Sequence, residues 1–185
     1  MGIKKYKDDY EIVFTMDENG RETSEAVYRG KYFEVSLDED GLLQFRRQAF
    51  LLLAVIVVLH FLGGFVDNQG MYQFFVSLPY VIGFLPMFYF GEGVFRLPKE
   101  KRKYRREEVE RSFDRMKSTS KIIVLTLGIG LLGEIIFLAF FSSRDQSTLE
   151  LLYLSLEALA TAAAYFLIRL QQPVTVQACT DPQRE

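Results

Sequence analysis

Cysteine and histidine are the scarcest chemical resources of this sequence: Cys179 and His60 stand alone in 185 residues. A lone cysteine cannot close an internal disulfide, and in a polar C-terminal stretch it reads as an ordinary reduced thiol. One histidine, with neither His-x-x-x-His nor Cys-x-x-Cys, cannot build a usual zinc site, so no metal and no cofactor is expected. Phosphate-cradling loops are absent, and Ser77 and Ser155 lie in no nucleophile elbow, which leaves nucleotide and serine-hydrolase chemistry without equipment. Excess positive charge is lacking too. The net charge is −2 with a pI near 5.6, so bulk nucleic-acid binding has no support. The N-terminal stretch has no short apolar run followed by a small-residue cleavage site, so a cleaved signal peptide is not expected. Myristoylation is not expected either, because Tyr6 stands where that signal wants Ser or Thr.

What the chain has is a segregation of charge from apolarity. Four runs approach the roughly 20 apolar residues that a helix needs to cross a bilayer: 49–66, 71–95, 122–141 and 149–170. Between the second and third lies Arg96 to Lys121, with eleven Lys and Arg against five Asp and Glu. Basic residues beside spans stay in the cytoplasm, which places both termini there and predicts a multi-pass protein of the plasma (inner) membrane. Arg46 and Arg47, just before the first run, agree, and the link Asp67-Asn68-Gln69-Gly70 carries no Lys or Arg, as an outside turn should. The fold class expected is an all-α four-helix membrane bundle, residues 42–170, with a small cytoplasmic β-hairpin unit over 1–41, a basic helical loop over 96–121 and a cytoplasmic tail over 171–185.

The N-terminal unit is legible as strands. Tyr10, Ile12, Phe14 and Met16 share one face of a period-two pattern. Asn19-Gly20 then signals a turn, and a further strand is expected around 31–37, with Phe33, Val35 and Leu37 together. Two or three strands are marginal alone, so the unit is expected to pack on the membrane face, the basic loop or a partner. Val174-Thr175-Val176 offers the tail a way to add a strand. Asp38-Glu39-Asp40 marks a helix start, and Pro98 suits the first turn of a helix over 99–117 whose thin apolar edge is Tyr104, Val109, Phe113 and Met116. Lys101, Arg102, Lys103, Arg105 and Arg106 on that segment are candidates for anionic lipid headgroups or a protein partner. Pro79 and Pro86 inside the second span free backbone carbonyls that neighbouring helices must cover.

Ionisable residues inside spans are the best pointer to a site. With a rise of about 1.5 Å per residue, His60 lies roughly 9 Å, Glu134 roughly 10 Å, Glu157 roughly 12 Å and Tyr80 roughly 13 Å from the outer ends of their runs. Each helix thus contributes one polar residue to one thin layer, with Ser77 and Thr161 within reach. Burial favours the uncharged forms of all three ionisable groups, while a glutamate beside His60 opposes this. The layer reads either as polar glue between helices or as a site for protons, a cation or a polar substrate. Gly128-Ile129-Gly130-Leu131-Leu132-Gly133 matches G-x-G-x-x-G but has no strand before it, so it reads as helix packing. Tyr72 and Tyr153 read as interface anchors.

Taken together, these features point to a non-enzymatic polytopic membrane protein that acts as an oligomeric or accessory subunit. Its partners are the bilayer and a second copy or another membrane protein, with anionic lipids a further contact. The alternatives are a proton- or cation-coupled transporter or channel using His60, Glu134 and Glu157, and an enzyme acting on a membrane lipid.

Overall fold

A computed structural model describes residues 3–16, 22–98, 100, 103–141 and 147–179. Four long helices form the body: α1 (Glu39–Gly63), α2 (Phe74–Phe95), α3 (Arg106–Phe140) and α4 (Ser147–Gln171). All four are long and apolar enough to cross a membrane. α2 packs on α3, α3 on α4, α4 on α1 and α1 on α2, closing the bundle. Its surface is apolar where a soluble protein would be charged: Leu51, Val58, Phe61, Val81, Leu85, Phe88, Leu125, Leu132 and Phe166 are all more than half exposed. The chain is a polytopic membrane protein.

A seam of three- and four-residue steps fills the interior. On α1 it runs Leu42, Phe45, Ala49, Leu53, Ile56, His60, Gly63, and every one of these is buried. On α4 it runs Glu150, Tyr153, Glu157, Ala160, Ala164, Leu167, Gln171, again all buried. This spacing keeps one stripe of each helix turned to its neighbours. Alanines and glycines in the stripe let backbones approach. Pro79 cannot donate to the carbonyl of Phe75, and that carbonyl is covered by α3, where a Cβ on Gly133 would stand only 2.7 Å from it. Gly130 faces Pro79 in the same way, at 3.6 Å for its absent Cβ. Two glycines of the motif, Gly130 and Gly133, therefore form a helix-packing face, while Gly128 meets no neighbour among the described residues.

One end of the bundle carries a cap. Strands β1 (Tyr10–Met16) and β2 (Glu22–Tyr28) form an antiparallel hairpin with Val13 opposite Glu25. The strand expected around 31–37 is present as β3 (Tyr32–Val35), but it joins a different sheet. There it is central, flanked by β4 (Tyr104–Arg105) and by β5 (Val176–Cys179) from the C-terminal tail. The tail does add a strand, pairing Val35 with Val176, two residues later than the alternation at 174–176 implied. The Asn19-Gly20 turn lies outside the described residues. Asp38 caps α1 as expected, its Oδ1 accepting from the Gly41 N–H at 2.9 Å.

The basic segment differs from its expected form. The helix begins at Arg106 and not near Pro98, because Tyr104 and Arg105 are drawn into pairing with β3. From Arg106 it continues into the third span as one helix of 35 residues, relieved by a π turn over Glu110–Asp114. The thin apolar edge is real: Tyr104, Val109, Phe113 and Met116 are all buried. Near its root Glu92 of α2 binds Arg96 and, across to α3, Arg115.

Candidate functional site

The polar residues of the bundle gather toward its uncapped end, in two adjacent groups. The first is centred on His60, which takes the seam position one step beyond Ile56 and has no exposed surface. Its Nδ1 lies 2.8 and 3.0 Å from the two carboxylate oxygens of Glu157. Its Nε2 lies 3.0 Å from the backbone carbonyl of Tyr80, whose hydroxyl donates back to the carbonyl of His60 at 3.1 Å. The ring is held between aromatic neighbours, with centroids 4.3 Å from Tyr80 and 4.6 Å from Phe84. Gly63, Gly64 and Gly83 make the room: a side chain at these positions would meet Glu157, Tyr80 and His60 respectively.

This geometry fixes the proton count. Both ring nitrogens face oxygens, and a carbonyl can only accept, so Nε2 carries a hydrogen. Between Nδ1 and Glu157 one further proton is needed. Whether it sits on the imidazole, giving an ion pair, or on the carboxyl, giving two uncharged groups, the pair holds two protons and no net charge. Neutrality as a pair is what makes this contact tolerable inside a membrane.

The second group is Asn68, Glu134 and Glu150, exposed by 2%, 0% and 1%. Glu134 on α3 faces Glu150 at the start of α4, with the Asn68 amide alongside. One oxygen of Glu150 accepts from the backbone N–H of Gln69 at 2.6 Å. The other oxygen of Glu150, both oxygens of Glu134 and both polar atoms of the Asn68 side chain make no hydrogen bond among the described residues. Gly70 roofs the group, and any side chain there would collide with the Glu134 carboxylate. Tyr153, expected at the lipid interface, is instead buried between the two groups, near both Glu157 and Glu134. Tyr72 is exposed.

The layer read from the sequence thus separates. His60, Glu157 and Tyr80 come together, while Glu134 belongs with Glu150 and Asn68. Ser77 and Thr161 join neither, because their hydroxyls donate along their own helices, to the carbonyls of Gln73 at 3.2 Å and of Glu157 at 2.7 Å. Glu150 escaped the sequence reading, and Tyr153 was read as an interface anchor, because both sit near the outer end of the fourth span. The signal that finds them is the spacing 150, 153, 157, 160, 164, which puts them on one stripe with Glu157.

At the capped end the basic residues are tied into the protein. Arg106 N–H donates to the Tyr28 hydroxyl at 3.1 Å, and its guanidinium pairs with Glu110 at 2.9 Å. Arg105 lies over the Tyr28 ring and reaches the Tyr10 hydroxyl at 3.5 Å. Tyr10 donates to Glu107 at 2.8 Å and Tyr6 to Glu110 at 3.0 Å, so the base of the hairpin is stitched to the start of α3. Lys103 is exposed just before β4, and Lys101 and Arg102 lie outside the described residues. Along β1 beyond this base Ile12, Phe14 and Met16 stand 61%, 71% and 76% exposed.

Comparison of the chain with protein-family models, with curated proteins and with solved structures returns no match. Its function is therefore to be read from the geometry of the two polar groups and of the cap.

Proposed function

We propose that the protein is a non-enzymatic membrane component that works as a homo-oligomer, two copies meeting through their caps on the cytoplasmic side of the plasma membrane. The observation that carries this is the β1–β2 hairpin, held firmly at its base while Ile12, Phe14 and Met16 stand exposed along it. Among the described residues this sheet has only two strands, so the outer edge of β1 is unpaired. A two-stranded ribbon is marginal, and an unpaired apolar edge strand is a template for another chain.

The sequence of β1 favours a second copy as the occupant. Antiparallel pairing of β1 with its own mate, centred on Val13, places Ile12 beside the mate's Phe14 and Tyr10 beside its Met16, the aromatic and branched pairs that stabilise a sheet. Glu11, the one acidic residue of β1, does not meet itself in that register. The outer edge of β2 is less suited, since symmetric pairing about its centre sets Glu25 against Glu25. The contact is isologous and closes as a dimer. Cytoplasmic placement is supported by the Lys and Arg concentration at the capped end.

Native mass spectrometry after gentle extraction tests the reading. Wild type is expected as a dimer and Phe14→Glu as a monomer that keeps its helical content. A wild-type monomer, or a dimer that Phe14→Glu leaves intact, contradicts it; a different protein retained by the wild type would replace the second copy with a heterologous partner. A second reading, proton- or cation-coupled flux through the polar layer, draws support from the unpartnered carboxylate of Glu134. It requires a flux that Glu134→Gln abolishes in folded protein.

A further inference from the structure

We propose that Asn68, Glu134 and Glu150 form a binding site for a hard divalent cation of the Ca2+ type at the uncapped end of the bundle. Such a site needs neither the dimer nor a flux. Donors and acceptors in this group do not match. Among the described residues Glu134 Oε1 and Oε2, Glu150 Oε2 and Asn68 Oδ1 are four buried oxygens without a hydrogen bond, and the one donor of this group without one, Asn68 Nδ2, is a single amide. Native proteins rarely leave such atoms unsatisfied, and each one in a structure asks for a missing partner.

The neighbouring polar group cannot supply that partner. Both oxygens of Glu157 are engaged by His60, and the His60–Glu157 pair is already neutral. Among the described residues the ion pairs formed by Lys and Arg lie at the capped end. Two carboxyl groups facing each other in an apolar bundle are relieved either by a proton held between them or by a cation, and a doubly charged ion matches the pair when both are ionised. Oxygen atoms alone select Ca2+, Mg2+ or Mn2+ over softer metals. Ca2+ fits best, because it accepts irregular oxygen sets and completes its shell with water or loop carbonyls, whereas Mg2+ demands near-octahedral order.

The surroundings are arranged to hold such a set. Glu150 is fixed by the Gln69 N–H through its other oxygen, which leaves Oε2 turned to the group. Gly70 lets the link close directly over the Glu134 carboxylate, which any Cβ there would strike. Asn68, Gln69 and Gly70 belong to the link between α1 and α2, while Glu134 and Glu150 come from α3 and α4. A cation there would bridge the α1–α2 link to the other two helices, and the bundle's uncapped end would be tightened by it.

The test uses full-length protein in mild detergent, stripped with a chelator and then dialysed against radioactive calcium. Wild type should bind one Ca2+ per chain saturably and melt at a higher temperature with it, while K+ at equal ionic strength gives neither effect. Glu134→Gln and Glu150→Gln, each removing one ligand charge, should weaken binding by about tenfold or more. Glu157→Gln, in the other group, should bind as wild type does. Absence of saturable binding by folded wild type overturns the proposal, and this arm does not depend on any variant folding. So does equal binding by both Gln variants, or a folded wild type that neutralises the pair by taking up protons without any divalent ion.

Discussion

Replacing His60 by alanine is the perturbation that the bundle should feel most. The ring makes two interhelical polar contacts, Nδ1 to Glu157 of α4 and Nε2 to the Tyr80 carbonyl of α2. In membrane proteins such contacts contribute about 0.6 to 1.7 kcal/mol each. Removing a fully buried ring also leaves a void between Tyr80 and Phe84, adding about 2 kcal/mol. The expected loss is therefore about 3–5 kcal/mol, close to the cost of removing one partner of a buried pair while the other stays. Glu157→Ala should cost a similar amount by the same route. The double variant should cost less than the sum by about 1–2 kcal/mol, since the shared contact is lost only once. Reversible unfolding in bicelles, read as a double-mutant cycle, measures all three. A His60→Ala loss under about 1 kcal/mol, or costs that add to within about 0.5 kcal/mol, would refute the pairing. Ser77→Ala and Thr161→Ala serve as controls and should shift stability by no more than about 0.5 kcal/mol, because both hydroxyls bond within their own helices.

Two further outcomes concern the cap. Burial raises the Tyr28 hydroxyl above the usual tyrosine range, and burial together with the Glu107 carboxylate raises that of Tyr10. Groups whose folded value is raised stabilise the fold at low pH and lose that contribution as pH rises through the folded value, so the hairpin base should loosen only above about pH 10. A phenolate absorbance titration of wild type against Tyr10→Phe and Tyr28→Phe checks this, and phenols that titrate below pH 10 would contradict it. Sidedness can be read from the lone cysteine, since Cys179 lies in β5 of the cap. A membrane-impermeant maleimide should label it in opened cells and leave it unlabelled in intact ones; equal labelling would reverse the topology.

The helices were written in the chain because a bilayer imposes the simplest of rules: length and apolarity locate the four spans, and Asp38 announces the first of the helices. The strands were legible only where they alternate. β1 has a clear apolar row, but its partner β2, Glu-Thr-Ser-Glu-Ala-Val-Tyr, has almost none and becomes a strand because β1 pairs with it. β4 is two residues cut from a basic run that favours helix, and its pairing with β3 overrides that preference. In the site, depth counting brought His60, Glu157 and Tyr80 to one level and geometry joined them. The same counting assigned Glu134 to them as well, since it measures height along the bundle and not the angle around it. Glu150 and Asn68 lie where span meets link, a zone in which composition alone treats a polar residue as solvated. Only packing shows that Gly70 and the link fold down over them.

The claim that two copies meet edge to edge through β1 is tested most directly by disulfide trapping. In a Cys179→Ser background, Val13→Cys places one thiol at the centre of the symmetric pairing, opposite its own mate, and Glu25→Cys places one on the strand turned away. Mild oxidation in native membranes should give a covalent dimer from Val13→Cys and little from Glu25→Cys. Equal trapping at both positions, or trapping at Glu25→Cys alone, would contradict the β1 interface.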